Sequence, residues 1–250
     1  MGIISGIRAL LAFFTNLPVK SDDNTLNEAA VYMPLAPLIG ALIGLVSSIA
    51  FGIFRLFFPA IVAGMLALGA ILLITGLHHT GGLIGFGAGL AANGTPEKKI
   101  DMMHDANKGV GGFILAFVVL MTTSLSISNL APDRFVQDII VVEMSAKLAM
   151  VNLAWIGKPA LQAASSPFIE KMRGRRRRLR IFGSVAISLL VSVLVSGLPG
   201  ASILLIGLLS SIFVAWISGR RFGGITGDAF GAANDIGRMV ALLGVLAITR

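Results

Sequence analysis

Two polar stretches carry most of the residues in this chain that could do chemistry. The first, Gly76 to Gly112, reads GLHHTGGLIGFGAGLAANGTPEKKIDMMHDANKGVGG, and the second, Gly219 to Arg238, reads GRRFGGITGDAFGAANDIGR. In the second, Asp228 and Asp235 are seven residues apart and share a face if the segment is helical. Asn234 stands beside Asp235, and the flanking glycines let a ligand approach the backbone closely. Two carboxylates with an amide suit magnesium, which takes oxygen ligands and keeps several waters. By spacing alone the same residues read slightly better as a capped helix start, with Thr226 and Asp228 opening the last helix. In the first stretch, Asp101 and Asp105 are i,i+4 on a helix that Thr95-Pro96-Glu97 would open. His104 follows the other face. Lys108 with the Gly-Val-Gly-Gly after it has the make-up of a phosphate cradle: a cation and flexible backbone donors at a helix start. The tandem histidines His78 and His79 cannot both point the same way on a helix. With 3 histidines and no cysteine, a zinc site is not expected.

A further pair sits in apolar sequence. In VVEMSAKLAM, Glu143 and Lys147 are four apart, on one helix face, and able to pair. A lone charge at the centre of a membrane helix costs about 2.5–3.5 kcal/mol. The pair is either a structural bridge or a substrate-facing site.

The elements that must position these residues follow from composition. Of 250 residues, 56% are apolar and only 13% charged, about half the usual charged share of a soluble domain. The expectation is an all-α, polytopic integral membrane helical bundle, a single domain over 1–250. Candidate spans are Ala30–Phe51, Phe57–Leu77, Val110–Ile127, Ile139–Trp155, Ile181–Val195, Ala201–Ile217 and a short Met239–Thr249. That is about seven spans. An N-terminal interfacial helix precedes them, because Ile3, Ile4, Ile7, Leu10, Leu11 and Phe14 form a helical stripe. This run contains Arg8 and lacks a small-residue cleavage site, unlike a signal peptide.

Charge sets the orientation. The 157–180 loop holds Lys158, Lys171, Arg173, Arg175, Arg176, Arg177, Arg178 and Arg180. If it is cytoplasmic, alternation puts the N-terminus and both polar stretches on the same side. They add Arg8, Lys20, Lys98, Lys99, Lys108, Arg220, Arg221 and Arg238, against Arg55 and Arg134 opposite. This is a strong positive-inside bias. It predicts a multi-pass protein of the cell membrane with its N-terminus and site loops cytoplasmic. The GRRRRLR run is read as a stop to translocation that meets anionic headgroups, so membrane lipid is an expected partner. Nucleic acid is not, since no stacking aromatics are interleaved with the arginines. A homo-oligomer is compatible with the sequence.

Three motifs together resemble the cobalamin synthase (adenosylcobinamide-GDP ribazoletransferase) family, archaeal type. FFTNLPV resembles the family's F-x-T-x-L-P-V. DMMHDANKGVGG resembles its M-[KR]-D-x-R-x-G-x-x-G segment, with Lys108 supplying the cation. FGGITGDAFGAANDIGR is very close to its GG-[FY]-TGD-x-x-GA-x-[NQ]-[ED] signature. The family's acidic motif, H-x-D-G-x-x-D-x-x-D-G, reads HTGGLIGFGAG here, so its acids are replaced by Gly81, Gly85 and Ala88.

The resemblance implies a phosphotransferase that joins α-ribazole, or its 5′-phosphate, to adenosylcobinamide-GDP with release of GMP. It implies magnesium as cofactor, and the three replacements imply weakened or lost metal binding. Metal or pyrophosphate contact is carried to Asp105, Asp228 and Asp235. Phosphate contact goes to Lys108, substrate binding to Asn234, and general-base work to His79 or Glu143. Two alternatives stand beside this reading. One is a corrinoid-binding or scaffolding relative without turnover. The other is a transporter, which would show broken helices and midplane charge but for which no duplicated halves are evident.

Overall fold

Inside a membrane a chain must satisfy its own backbone, and helices do so within one segment. The computed structural model describes residues 2–105, 109–160 and 166–248, and among the described residues it is helical with no strand. The elements are α1 (Ile3–Phe14), α2 (Thr25–Tyr32), α3 (Ala36–Phe57), α4 (Ala60–Ile74), α5 (His78–Ala91), α6 (Pro96–His104), α7 (Gly109–Ser128), α8 (Phe135–Ile156), α9 (Ser166–Arg173), α10 (Arg177–Phe222) and α11 (Gly227–Ile248). Among the described residues 5 helices, or up to 6 if the bent pair α4–α5 is one span, are long and apolar enough to cross a membrane. The chain is a multi-pass membrane protein.

α10 is a single run of 46 residues, too long for one crossing. It folds back at Gly197, whose φ 65, ψ −154 lies outside the helical region. A Cβ on Gly200 would sit 3.1 Å from the carbonyl carbon of Ser192. In a straight helix eight residues would separate them by about 12 Å. The two arms therefore run along α8 in opposite senses. Arg177 stacks 5.1 Å from the Trp155 ring near one end of α8, and Arg134 donates to Ser196 (2.9 Å) at the other. Asn152 then donates to Ser211 (2.8 Å) on the returning arm. The sequence spans Ile181–Val195 and Ala201–Ile217 are these two arms.

α8 is the axis of the bundle and is buried over almost its whole length. α3 crosses it antiparallel through glycines: a Cβ on Gly44 would come 2.6 Å from the Ile140 Cα. Gly44→Leu is expected to destabilise the protein by about 1–3 kcal/mol, the usual cost of overpacking, read as a lower melting midpoint in detergent. Gly69→Leu, whose added Cβ would meet nothing within 4 Å, should melt as wild type.

One end of the bundle collects the connections that the charge pattern grouped together. Asn16 N–H donates to Ile74 O (2.7 Å), Ile225 N–H to Lys158 O (2.7 Å) and Ala160 N–H to Ile225 O (3.0 Å). The basic residues at this end serve the fold as well as the surface. Arg173 donates to Gly157 O (3.1 Å), Arg180 to Val31 O (3.1 Å) and Arg221 to Leu90 O (2.8 Å). The Thr95-Pro96-Glu97 start opens α6 as its pattern predicts. The Glu97 carboxyl is held below the usual carboxylate range by its own backbone N–H and then by the Thr95 hydroxyl. α1 splits its apolar stripe, burying Leu10 and Phe14 in the protein and leaving Ile3, Ile4 and Ile7 exposed.

Two differences from the sequence reading bear on the site. The second polar stretch is not a loop. From Gly227 on it is the first half of α11, a helix of 22 residues, and Ala229 N–H donates to the Thr226 hydroxyl (3.2 Å): the capped-start reading holds, and the short final span begins about a dozen residues earlier than hydropathy suggests. Arg238, counted among the loop cations, is instead buried inside the bundle, 1% exposed.

Candidate functional site

The site is organised where α5 crosses α11. The chain turns into α5 through Gly76 (φ 67) and Leu77 (φ 60), and α4 and α5 meet at 97°. Leu77 is held in the left-handed region, a strain of order 1 kcal/mol that surrounding contacts must offset. Glycine costs about 1 kcal/mol per position in a helix interior relative to alanine, yet the glycine-rich α5 is helical. Packing explains it. A Cβ on Gly82 would lie 3.1 Å from the Gly231 Cα, and one on Gly87 would lie 3.0 Å from the Gly112 Cα of α7. The helix is held between two neighbours whose backbones approach closer than side chains allow.

Along this crossing runs a buried ionic network. Arg238 donates through Nε to Glu143 Oε1 (2.5 Å), through Nη2 to Glu143 Oε2 (3.1 Å), and through Nη1 to Asp235 Oδ1 (2.6 Å). Asp235 also accepts from Asn234 Nδ2 (2.9 Å) and from the Thr80 hydroxyl (3.0 Å). Lys147 donates to Asn234 Oδ1 (2.5 Å) and stands 5.3 Å from the Phe14 ring centroid. Two cations and two carboxylates balance, as a buried group of charges must. Glu143 and Lys147 share one face of α8, as their spacing predicts. Each is bonded across to α11, because Arg238 offers a planar fork that fits a carboxylate better than an ammonium does.

Beside the network a cavity of about 380 Å³ opens, lined by His78, His79, Phe13, Met150, Gly227 and Phe230 among others. His79 is buried, 7% exposed, and its Nε2 has no hydrogen-bond partner among the described residues. Its ring lies 5.9 Å from that of Phe14. Tandem placement does what the sequence implied: His78 is exposed while His79 turns inward. Gly227, at the start of α11, lines the same cavity, and the Ala229 N–H of that first turn donates to the Thr226 hydroxyl (3.2 Å).

A family model described as cobalamin-5-phosphate synthase matches residues 6–246. The chain belongs to that family. The family's curated relatives include adenosylcobinamide-GDP ribazoletransferases. One from Methanocella arvoryzae is 31% identical over 96% of this chain and 94% of the relative. One from Thermococcus gammatolerans is 35% identical over 97% of each, and one from Methanosarcina barkeri is 32% identical over 94% of this chain and 89% of its own length. No solved structure matches this chain.

The resemblance implied acids at three positions of α5, and their place in the helix is now visible. Positions 81, 85 and 88 follow i, i+4, i+7 spacing and so share one face of α5. A Cβ at Gly85 would run into the Asp228 carboxylate and lie 3.1 Å from the Met103 carbonyl oxygen, whereas at Gly81 it would meet open space. Asp228 is half-buried in the first turn of α11, and Asp105 is exposed just after α6. Lys108 lies outside the described residues.

Among the described residues no group of three or more His, Asp or Glu side chains could hold a metal on its own. Asp235 is taken up by Arg238, Asn234 and Thr80, and Glu143 by Arg238. An all-protein metal cage is therefore not what these residues offer. Magnesium, however, is commonly held by one or two carboxylates together with substrate phosphates. Asp228, facing the Met103 carbonyl across Gly85, fits that lesser role.

Sequence reasoning missed Arg238, the hub of the network, and Thr80. The signal for Arg238 was present: it stands i,i+3 from Asp235, ahead of apolar sequence. It was hidden because it also closes a polar stretch.

Proposed function

We infer that this chain is an adenosylcobinamide-GDP ribazoletransferase of the cell membrane. Its α10 arms, bent pair and remaining spans make seven crossings, and the site end is cytoplasmic. A hydroxyl of α-ribazole, or of its 5′-phosphate, attacks the phosphorus on the cobinamide side of the diphosphate. The new O–P bond forms as the bond to GMP breaks, and the hydroxyl proton passes to His79. The observation that carries this reading is the buried Nε2 of His79, without a partner among the described residues, in a cavity that the start of α11 also lines. Phosphoryl transfer asks little covalent chemistry of the protein and much positioning. Here the helix start receives the diphosphate, and the buried network fixes α5 and α11 relative to each other. Glu143 is left to that network, so His79 is the base.

When bound, magnesium would neutralise charge developing on the diphosphate, with Asp228 and Asp105 as its protein ligands. Lys108 is assigned to phosphate and Asn234 to orienting Lys147 beside the substrate. Relatives named as transferases favour this reading over a transporter.

The test uses the full chain in lipid nanodiscs with adenosylcobinamide-GDP, α-ribazole and magnesium. GMP should appear in step with the joined corrinoid product. Folded protein that releases no GMP above background would overturn the reading.

A further inference from the structure

The cavity at His79 does not end there. A second cavity, about 210 Å³, continues from it and shares Phe13, Met150, Gly227 and Phe230. The chemistry changes from one to the other. Met33 and Phe168 join the lining, and among the described residues every side chain facing the second cavity is apolar. Phe13 and Phe168 have centroids 4.8 Å apart at 43°, and Phe168 and Phe230 are 6.1 Å apart at 50°. Such rings leave faces and edges at an angle that favours a flat aromatic guest. Met33 and Met150 add polarizable sulfur, which contacts ring edges well. Phe168 comes from α9, Phe13 from α1 and Phe230 from α11, so three separate segments converge to build this chamber.

We propose that this chamber holds the planar base of the acceptor nucleoside and selects a two-ring heterocycle that lacks polar edge substituents. The inference rests on the function proposed above. Continuity of the two cavities decides the occupant: a base in the phenylalanine chamber places its ribose in the mixed cavity, with hydroxyls toward His79. Selectivity follows from the lining. A purine amine or ring nitrogen placed here would lose its water and find no partner, which costs affinity. A benzimidazole, with a single free ring nitrogen against adenine's three and its amine, loses less. A site without hydrogen-bonding groups discriminates by this penalty alone.

The probe is labelled α-ribazole, bound to the full chain in detergent by equilibrium dialysis with no donor nucleotide present. α-Ribazole should bind at least about tenfold tighter than the matching α-linked adenine riboside. Phe168→Leu keeps an apolar chamber but removes a stacking face, and should weaken α-ribazole about tenfold, within the usual range for loss of one base–aromatic stack. GDP affinity should stay unchanged. If Phe168→Leu is not monodisperse, Phe13→Leu gives the same reading. Equal affinity for the two ribosides, no binding of α-ribazole, or wild-type affinity in the variant would each overturn the proposal. Binding with this pattern in protein that releases no GMP would uphold the chamber while removing the transferase reading.

Discussion

Arg238→Ala is expected to cost the protein its folded state. The substitution leaves the Glu143 and Asp235 carboxylates buried with their cation gone, while Lys147 remains on Asn234. Removing one partner of a buried ion pair costs about 3–5 kcal/mol, a large part of the stability of an ordinary domain. A fluorescence-detected melt in detergent should show no cooperative transition, or one far below wild type. Arg238→Lys retains the charge but loses the fork that meets two carboxylates at once, and should fall between. The double variant Glu143→Met with Arg238→Met removes one charge of each sign and leaves Lys147 and Asp235 balanced. It should recover a substantial part of the loss. A single Arg238→Ala variant that melts like wild type would show that the network does not clamp α5, α8 and α11 together.

The sequence carried the helical class, the broad placement of the spans and the grouping of connections at one end, because hydropathy and charge are local properties of a segment. It also carried the inward turn of one histidine in the tandem pair. Helix starts inside polar sequence were legible where a cap marked them, at Thr95 and at Thr226, but the burial that follows was not. Only packing against α5, α8 and α10 makes the polar face of GDAFGAANDIGR a buried one. The partners of Glu143 and Lys147 were hidden for the same reason. Spacing along α8 shows which residues share a face but not which cation from another helix arrives first. The aromatic chamber is the extreme case, since Phe13, Phe168 and Phe230 are scattered over more than two hundred residues and mean nothing until three segments meet.

Asp228→Asn should separate catalysis from folding. Asp228 is half-buried at the start of α11, and asparagine keeps its size and its hydrogen-bonding capacity, so the melting midpoint should hold. GMP release should fall by at least about a hundredfold, the scale seen when one group that stabilises transition-state charge is removed. Asp235→Asn should lose both, because its carboxylate ties Arg238, Asn234 and Thr80 together. The second arm adds an acid. Gly85→Asp points a new carboxylate at Asp228, and its Cβ would meet the tip of that flexible side chain and, at 3.1 Å, the Met103 carbonyl oxygen, which must give by a few tenths of an ångström. Two carboxylates at that spacing repel without a cation and chelate with one. Gly85→Asp should therefore reach half-maximal rate of GMP release at a lower magnesium concentration than wild type. If Asp228→Asn keeps more than half the wild-type rate, or Gly85→Asp leaves the magnesium dependence where it was, then the diphosphate is not held between α5 and the start of α11.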